Sequence, residues 1–459
     1  MSWAAAEMRG ADLGDKRLNR RAIQILERLG DKPNFSIPAA CRGWGETLAA
    51  YRFLENDKVQ AEDVLAPHTE ATLERMREHA VVLGVADTSE LDYTGKKDIR
   101  GLGPLTYEAQ QGLYLHLMLA VTPERLSLGV LEALCWARDP AGYGKSAEQA
   151  GCPIEEKESI RWLESYRYLS DLAAKLPDTQ LVLVSDREGD IYEIFDEAER
   201  RAGPKAECLI RSQHDRRLVG GGNLWSEVAR SEVLGEIEFD LSADSKKKRA
   251  ARHVVQTLRV ARVRLKAPYR SDRKLADLEV TVVHAREEEP PRGVERIEWF
   301  LLTSLAVDDF DSAAEIVQWY LCRWQIEVFF RVLKSGCEVE ELQLELSDRL
   351  ERAIAFFLIV AWRVLFLTML GRTCPDLPCD AVFATEEWRM VYIVAKRRKP
   401  PSKPPTLNEI IRLVASFGGF LNRKRDGEPG PKTLWIGLQR VRDFVMTAEA
   451  MQAAGATCV

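Results

Sequence analysis

Short hydrophobic runs separated by amphipathic stretches dominate the middle of the chain. Helical periodicity appears near 158–175 and 190–201, between the later of these runs. The strand-like runs lie at 80–86, 112–121, 126–135, 181–185 and 207–212. Three strands followed by alternating helices and strands predict an α/β domain with a ribonuclease-H-like mixed sheet.

The segments on either side of this core have a different pattern. The stretch from Asp15 to Leu29 repeats its apolar positions at helical spacing, whereas 254–265 alternates apolar and polar residues as a strand does. We therefore divide the chain into a helical domain at 1–65, an α/β domain at 66–345 with a β-rich insertion at about 213–300, and a helical domain at 346–459.

One group of polar residues lies at helical spacing within an amphipathic segment. Ala313 to Lys334 reads as one helix, and Tyr320, Arg323, Glu327 and Lys334 fall within about a 60° stripe of it, at 100° per residue. A carboxylate framed by two cations and a phenol suits a phosphodiester, because the carboxylate can hold a hard cation while the others hold phosphate oxygens. The alternative is an exposed helix face with ordinary ion pairs.

Two further acids follow hydrophobic runs. Asp87 comes directly after the run at 80–86, and Asp186 comes directly after the run at 181–185. If these runs are neighbouring strands that end at the acids, both carboxylates lie at one edge of the sheet. The alternative for each is a turn former or a helix N-cap. For Asp190 we expect only a cap on the following helix.

Composition limits the class of protein. The chain has 459 residues, of which 46% are hydrophobic and 30% charged, so several globular domains are expected. Nine cysteines and six histidines are scattered without the spacing of disulfide or zinc sites. The start has no apolar secretory segment, and Arg363 interrupts the longest apolar run, 353–370, which we interpret as a buried helix. We expect a cytoplasmic, nucleoid-associated protein with no membrane contact.

The net charge of −6 does not favour nucleic acid, but the distribution of the charge does. Lys246 to Lys274 contains twelve Lys or Arg residues and one acid, Asp272. Three smaller basic clusters lie at Lys16–Arg21, Lys396–Lys399 and Arg423–Arg425. Each alone is compatible with a solvated face or linker. Together with a candidate phosphoryl-transfer site, they favour DNA as the partner.

The spacing of Tyr320, Arg323, Glu327 and Lys334 resembles the signature of bacterial DDE transposases of the insertion-sequence-four group. In that signature two residues separate Tyr from Arg, three separate Arg from Glu, and six separate Glu from Lys. This chain keeps each of these spacings. Further resemblance to transposon-five-like transposases lies, in order, in Leu13-Gly14-Asp15-Lys16-Arg17, Tyr51-Arg52-Phe53, Asp87-Thr88, the DREGDI stretch from Asp186, Trp299 in EWFLLTS, and Gly418-Gly419-Phe420.

The resemblance implies a cut-and-paste transposase that nicks transposon ends, forms and opens a hairpin, and transfers strands into target DNA. Asp87, Asp186 and Glu327 would be the catalytic carboxylates, able to hold two Mg²⁺ ions, with Mn²⁺ as a substitute. The partners would be double-stranded DNA and a second copy of the chain. The implied DNA contacts are Tyr320, Arg323, Lys334, Trp299, Arg211, His214, Arg217, Lys16, Arg17, Arg42 and Arg52.

Some of these assignments depend on single residues. Trp299 matches the residue that accepts a flipped base in the family, and its alternative is a core Trp on a strand. Gln213 stands where Lys is expected, which weakens that contact. Two other functions stay open: a ribonuclease-H-like nuclease that does not join DNA, and a non-catalytic regulator derived from a transposase.

The last helix suggests how two copies could associate. Leu434, Leu438, Val441 and Val445 form an apolar stripe there. A second copy could bury this stripe in a two-fold contact. The alternative is packing against the chain's own C-terminal helices.

Overall fold

The computed structural model describes residues 2–96, 99–140, 152–241 and 251–455. The helices are α1 (Trp3–Glu7), α2 (Lys16–Asp31), α3 (Ile37–Ala40), α4 (Trp44–Leu54), α5 (Ala61–Met76), α6 (Ile160–Ala173), α7 (Tyr192–Arg200), α8 (Leu224–Val228), α9 (Phe310–Leu321), α10 (Trp324–Arg331), α11 (Ser347–Thr373), α12 (Thr385–Lys396), α13 (Leu407–Phe417) and α14 (Pro431–Ala453). The strands are β1 (Val81–Asp92), β2 (Gly103–Pro104), β3 (Gln111–Val121), β4 (Ser127–Trp136), β5 (Gln180–Ser185), β6 (Glu207–Arg211), β7 (Val233–Leu241), β8 (Arg252–Leu265), β9 (Leu278–Glu287) and β10 (Glu298–Thr303).

The strands form one mixed sheet, as the sequence predicts for a ribonuclease-H-like core. Their order is β2-β3-β1-β5-β6-β10-β9-β8-β7, with β4 paired to β3. The pairs β1–β5 and β5–β6 are parallel, and α6 and α7 precede β5 and β6 as crossover helices. The predicted β-rich insertion is present, and its strands extend the central sheet because β10 pairs with β6.

Strand β1 is longer than the sequence predicts. We expected it to end before Asp87, but it continues to Asp92. Its parallel pairing with β5 ends at Val85, whereas its antiparallel pairing with β3 continues until Asp92 lies opposite Gly112. Asp87 therefore lies within a strand that has a hydrogen-bonded neighbour on the β3 side only.

The segment that carries Arg323 and Glu327 is not one continuous helix, contrary to our expectation. Helix α9 ends at Leu321, and the backbone N–H groups of Cys322 and Arg323 bond to carbonyls three residues back. Helix α10 follows, and a π-helical turn at Val332–Gly336 completes the segment. The apolar periodicity does not reveal the interruption, because the side chains on both sides of it remain in the same core.

The flanking regions are helical, as predicted. Helix α11 is long and apolar enough to cross a membrane, but 89% of its apolar window is buried inside the protein. This confirms the interpretation of the run at 353–370 as a buried helix. The guanidinium of Arg363, which interrupts that run, lies 4.2 Å from the Trp3 ring centre.

The apolar stripe of α14 packs within the chain. Leu434, Val441 and Val445 are buried, and Leu438 is half-buried. Leu434 and Val441 share a hydrophobic cluster with side chains of α11, α12 and α13. Of the two alternatives for this stripe, the structure shows packing against the chain's own helices.

Candidate active site

Three carboxylates and one arginine meet where β1 extends past β5. Asp87 lies on β1, Asp186 directly follows β5, and Glu327 lies on α10. Arg323 bridges two of them, with its Nη1 3.1 Å from Asp87 Oδ2 and its Nη2 2.6 Å from Glu327 Oε1. The side chains of Asp87 and Arg323 are 14% and 15% exposed, and that of Glu327 is 36% exposed. The cluster is thus partly open to solvent on the Glu327 side.

The surroundings of Asp87 disfavour the ionised form of its carboxyl group. Burial, and after it the negative charge of Asp186, raise the pKa of Asp87 to about 7. Arg323 and a hydrogen bond from the Thr88 N–H to Asp87 Oδ1, 2.8 Å long, act in the opposite direction. Asp186 Oδ1 accepts from the N–H of Glu188, 2.9 Å away, and starts the short turn Arg187–Gly189. A further cation would relieve the repulsion between Asp87 and Asp186.

No group of three His, Cys, Asp or Glu side chains has a metal-binding arrangement in the part of the chain that the structure describes. The chemistry of the donors nevertheless fits a divalent ion of the Mg²⁺ type, which prefers carboxylate oxygens. A divalent ion there would favour the ionised form of Asp87, whose pKa burial and the charge of Asp186 raise. Asp87, Asp186 and Glu327 are the residues that would hold such an ion, and Arg323 already pairs with Asp87 and Glu327.

Aromatic and basic side chains adjoin the acids. Tyr320 is buried, and burial raises the pKa of its phenol, while hydrogen bonding to Arg211 and the charge of Arg323 lower it. The ring of Trp299 lies 5.5 Å from that of Tyr320, measured between centres. The structure therefore brings Tyr320, Arg323, Arg211 and Trp299 together, although they come from α9, the α9–α10 turn, β6 and β10.

Trp299 also has a partner that the sequence does not indicate. Phe239 of β7 stacks on it, with ring centres 5.9 Å apart and planes 18° from parallel. Strands β8 and β9 lie between β7 and β10 in the sheet, so the sheet must curl to bring these two rings into contact. Trp299 is half-buried, and its ring neighbours are the half-buried Phe239 and the buried Tyr320.

Lys334 follows Glu327 on the same segment, beyond the end of α10. It lies in the π-helical turn, where its Nζ is 3.6 Å from Glu340 Oε1. The same Glu340 oxygen accepts from the N–H of Asp92, at the end of β1. Glu340 therefore joins Lys334 to the end of β1.

The loop after β6 carries the other predicted contacts of the catalytic domain. Gln213, His214 and Arg217 are exposed. Asp190 fixes this loop rather than capping α7, whose N-cap position is Ile191. The buried Asp190 carboxylate accepts from the N–H groups of Gln213 (2.7 Å) and His214 (3.0 Å) and pairs with Arg216 at 2.5 Å. Our expectation for Asp190 was therefore wrong, and its role is to link the turn after Asp186 to this loop.

The predicted contacts of the N-terminal helices are on the surface. Lys16, Arg17, Arg42 and Arg52 are all exposed. Arg17 pairs with Asp15 at 2.8 Å, and no hydrogen bond or ion pair joins the four to one another within the described ranges. Trp44, which was not among the predicted contacts, is 76% exposed two residues after Arg42. An aromatic residue between two glycines was the available signal.

Several residues of the basic run at 246–274 are engaged in ion pairs. Positions 246–250 lie outside the described residues. Arg259 pairs with Glu288 at 3.1 Å, and Arg270 pairs with Glu193 at 2.6 Å. Part of this charge therefore stabilises the fold, and the run is a weaker indicator of DNA than its composition suggests.

Models of three protein families match successive parts of the chain. The model described as "Transposase DNA-binding" matches residues 1–59, "Transposase DDE domain" matches 188–363, and "Transposase Tn5 dimerisation domain" matches 359–457. The DDE match contains Glu327 and the residues around it, and it begins two residues after Asp186. Asp87 lies between the first two matches.

Proposed function

We propose that this chain, which belongs to the Tn5-like DDE transposases of the insertion-sequence-four group, cuts and joins DNA by metal-dependent phosphoryl transfer. The three matched models identify a DNA-binding transposase with a dimerisation domain. The finer proposal is a cut-and-paste reaction: nicking at the transposon end, formation and opening of a hairpin, and strand transfer. The observation that carries it is the cluster of Asp87, Asp186 and Glu327 around Arg323.

The three carboxylates would hold Mg²⁺, or Mn²⁺ in its place. Metal ions bound there would supply activation of the attacking oxygen and stabilisation of the leaving oxygen. Asp87 must be deprotonated to act as a ligand, so its raised pKa favours binding above neutral pH. Among Asp87, Arg323 and Glu327, the side chain of Glu327 is the most exposed, so it would face the DNA.

The cations and aromatic residues would position the DNA. Arg323 lies among the carboxylates and can exchange a carboxylate for a phosphate oxygen of the cleaved bond. Tyr320 and Arg211, which contact each other, would hold a neighbouring phosphate, with Lys334 further along the strand. Trp299, half-buried beside Tyr320, would receive the base that leaves the stack during hairpin formation.

The exposed basic residues would contact DNA outside the reaction centre. His214 and Arg217 belong to the loop that Asp190 fixes, and they would bind the backbone near the cleavage point. Lys16, Arg17, Arg42 and Arg52 would recognise the transposon end, since they lie in the region matched by the DNA-binding model. We place the reaction in a homodimer that pairs two ends, in the cytoplasm at the nucleoid.

The test is to replace Asp87, Asp186 and Glu327 singly by Ala and follow labelled end DNA. Each variant should lose Mg²⁺-dependent nicking and strand transfer but keep end binding, because the charge for the metals is lost while the DNA contacts remain. The matched control is Asp178→Ala, an exposed acid just before β5, at the sheet edge opposite Asp186. Full cleavage by any of the three variants contradicts the assignment of that residue, and nicking without joining by the unmodified protein indicates a nuclease.

A further inference from the structure

We propose that His116 is a positioning residue for the active-site carboxylate Asp87, and that it acts through Thr88. The inference rests on the proposed function, since it assumes that Asp87 is a metal ligand. His116 lies on β3, directly opposite Thr88 in the antiparallel pair β1–β3. Because side chains alternate along a strand, Thr88 and His116 lie on the opposite face of the sheet from Asp87.

A chain of hydrogen bonds runs through His116. Thr88 Oγ1 lies 2.8 Å from His116 Nδ1, and His116 Nε2 lies 3.1 Å from Ser165 Oγ of α6. Ser165 Oγ in turn lies 2.6 Å from Glu132 Oε2 on β4. His116 and Ser165 are each only 1% exposed. Four side chains from four elements are therefore connected by direct hydrogen bonds, with the two central ones buried.

The chain has a fixed direction. The Ser165 hydroxyl donates its one proton to the Glu132 carboxylate, so it must accept from His116 Nε2–H. Burial lowers the pKa of His116 to about 4, so the ring is neutral near pH 7 and Nδ1 has no proton. The Thr88 hydroxyl therefore donates to Nδ1. Each donor has one acceptor, which leaves Thr88 with one preferred side-chain orientation.

Thr88 needs such support because of where β1 lies. Its N–H donates to Asp87 Oδ1 at 2.8 Å and so orients that carboxylate. The parallel pairing with β5 has already ended at Val85, so β1 is held at this point by β3 alone. The contact between His116 and Thr88 adds a side-chain link to β3 at the residue that follows the carboxylate.

The same histidine is held against the segment that carries the second acid. His116 packs edge-on against Trp162 of α6, with ring centres 4.7 Å apart. Trp162 is 4% exposed and closes the space above Gly189, where an added Cβ would lie 3.1 Å from the indole and 2.2 Å from Ser185 Oγ. Trp162 thus contacts His116 and also lies against Gly189 in the turn after Asp186. A shift of His116 would therefore change the distance between Asp87 and Asp186.

The experiment measures Mn²⁺ binding by calorimetry on the full chain without DNA, so its readout does not depend on activity. Thr88→Val removes the hydroxyl and keeps a β-branched shape, and His116→Phe keeps the packing on Trp162 and removes both hydrogen bonds. Each should weaken Mn²⁺ binding about 10-fold, the lower end for residues that orient metal ligands. Thr88→Ser should restore the affinity.

The matched control is His68→Phe. His68 is also fully buried, makes two hydrogen bonds and packs on a tryptophan, Trp362, but it lies on α5 away from the acids. It should lower the melting temperature without changing Mn²⁺ affinity. If Thr88→Val also lowers only the melting temperature, the positioning role is refuted. If the unmodified protein binds Mn²⁺ no better than Asp87→Asn, the metal site of the proposed function fails instead.

Discussion

Asp190 is a residue outside the cluster of acids whose replacement should strongly reduce stability. Its side chain is fully buried, and its partner Arg216 has a side chain that is 13% exposed. Asp190→Ala would leave the guanidinium without its carboxylate and two backbone N–H groups, those of Gln213 and His214, without an acceptor. Removing one member of a buried ion pair costs about 3–5 kcal/mol, so we expect a loss of that size.

The assay is urea unfolding of the free protein, with the slope against urea compared between variants. Asp190→Asn keeps an acceptor for the N–H groups but places a neutral amide against Arg216, so its loss should be intermediate. The control is Asp171→Ala, which breaks an ion pair with Arg201 in which the acid is 69% exposed. Exposed pairs contribute about 0.2–1 kcal/mol.

DNA binding gives a second measurement on the same variants. The loop fixed by Asp190 carries the exposed His214 and Arg217, so Asp190→Ala should weaken end binding more than Asp171→Ala does. If the free energy of unfolding of Asp190→Ala lies within about 1 kcal/mol of that of the unmodified protein, which is the range for an exposed ion pair, the explanation from the buried carboxylate is refuted.

Three further predictions concern the active site and the C-terminal helices. Trp299→Ala should leave first-strand nicking nearly normal and slow hairpin formation, with stacking worth about 1–3 kcal/mol; unchanged hairpin kinetics in a gel assay would make it a core residue. Folding raises the pKa of Asp87 from 3.8 to about 7, so the stability that the protonated carboxyl contributes is fully present below about pH 4 and is lost as the pH rises through 7. Asp87→Asn should therefore unfold at a higher urea concentration than the unmodified protein at pH 8. Removal of α14 by ending the chain near Asn422 should expose the partners of Leu434 and Val441 and lower the melting temperature of the C-terminal helices, whereas an unchanged melting curve would contradict the packing described.

The sequence indicated most of the architecture, because runs of apolar residues record which elements are buried. The parallel strands β1 and β5, the acid after β5 and the buried helix α11 all follow from such runs. The path of β1 beyond Ala86 could not be predicted in this way. Its residues there are polar except for Leu91, and they stay in the sheet through backbone pairing with β3, which leaves little hydrophobic signal.

The contacts of the site were harder to predict than its members. Spacing grouped Tyr320, Arg323, Glu327 and Lys334, but it does not reveal the break between α9 and α10 or the π-helical turn that carries Lys334. The roles of Asp190 and Phe239 depend on contacts between residues far apart in the chain. The apolar stripe of α14 shows the same limit, since a pattern identifies a buried face but not what covers it.

The continuity of the sheet has a consequence for the synthesis of the protein. Strand β6 ends at Arg211, and its neighbour β10 ends at Thr303. At a synthesis rate of about 5–20 residues per second, one edge of β6 stays unpaired for roughly 5–20 s until β10 has been made. During that time the edge can pair with other nascent chains. The three acids cannot assemble until Glu327 has emerged as well, so the growing chain has no complete reaction centre while its N-terminal helices are already made.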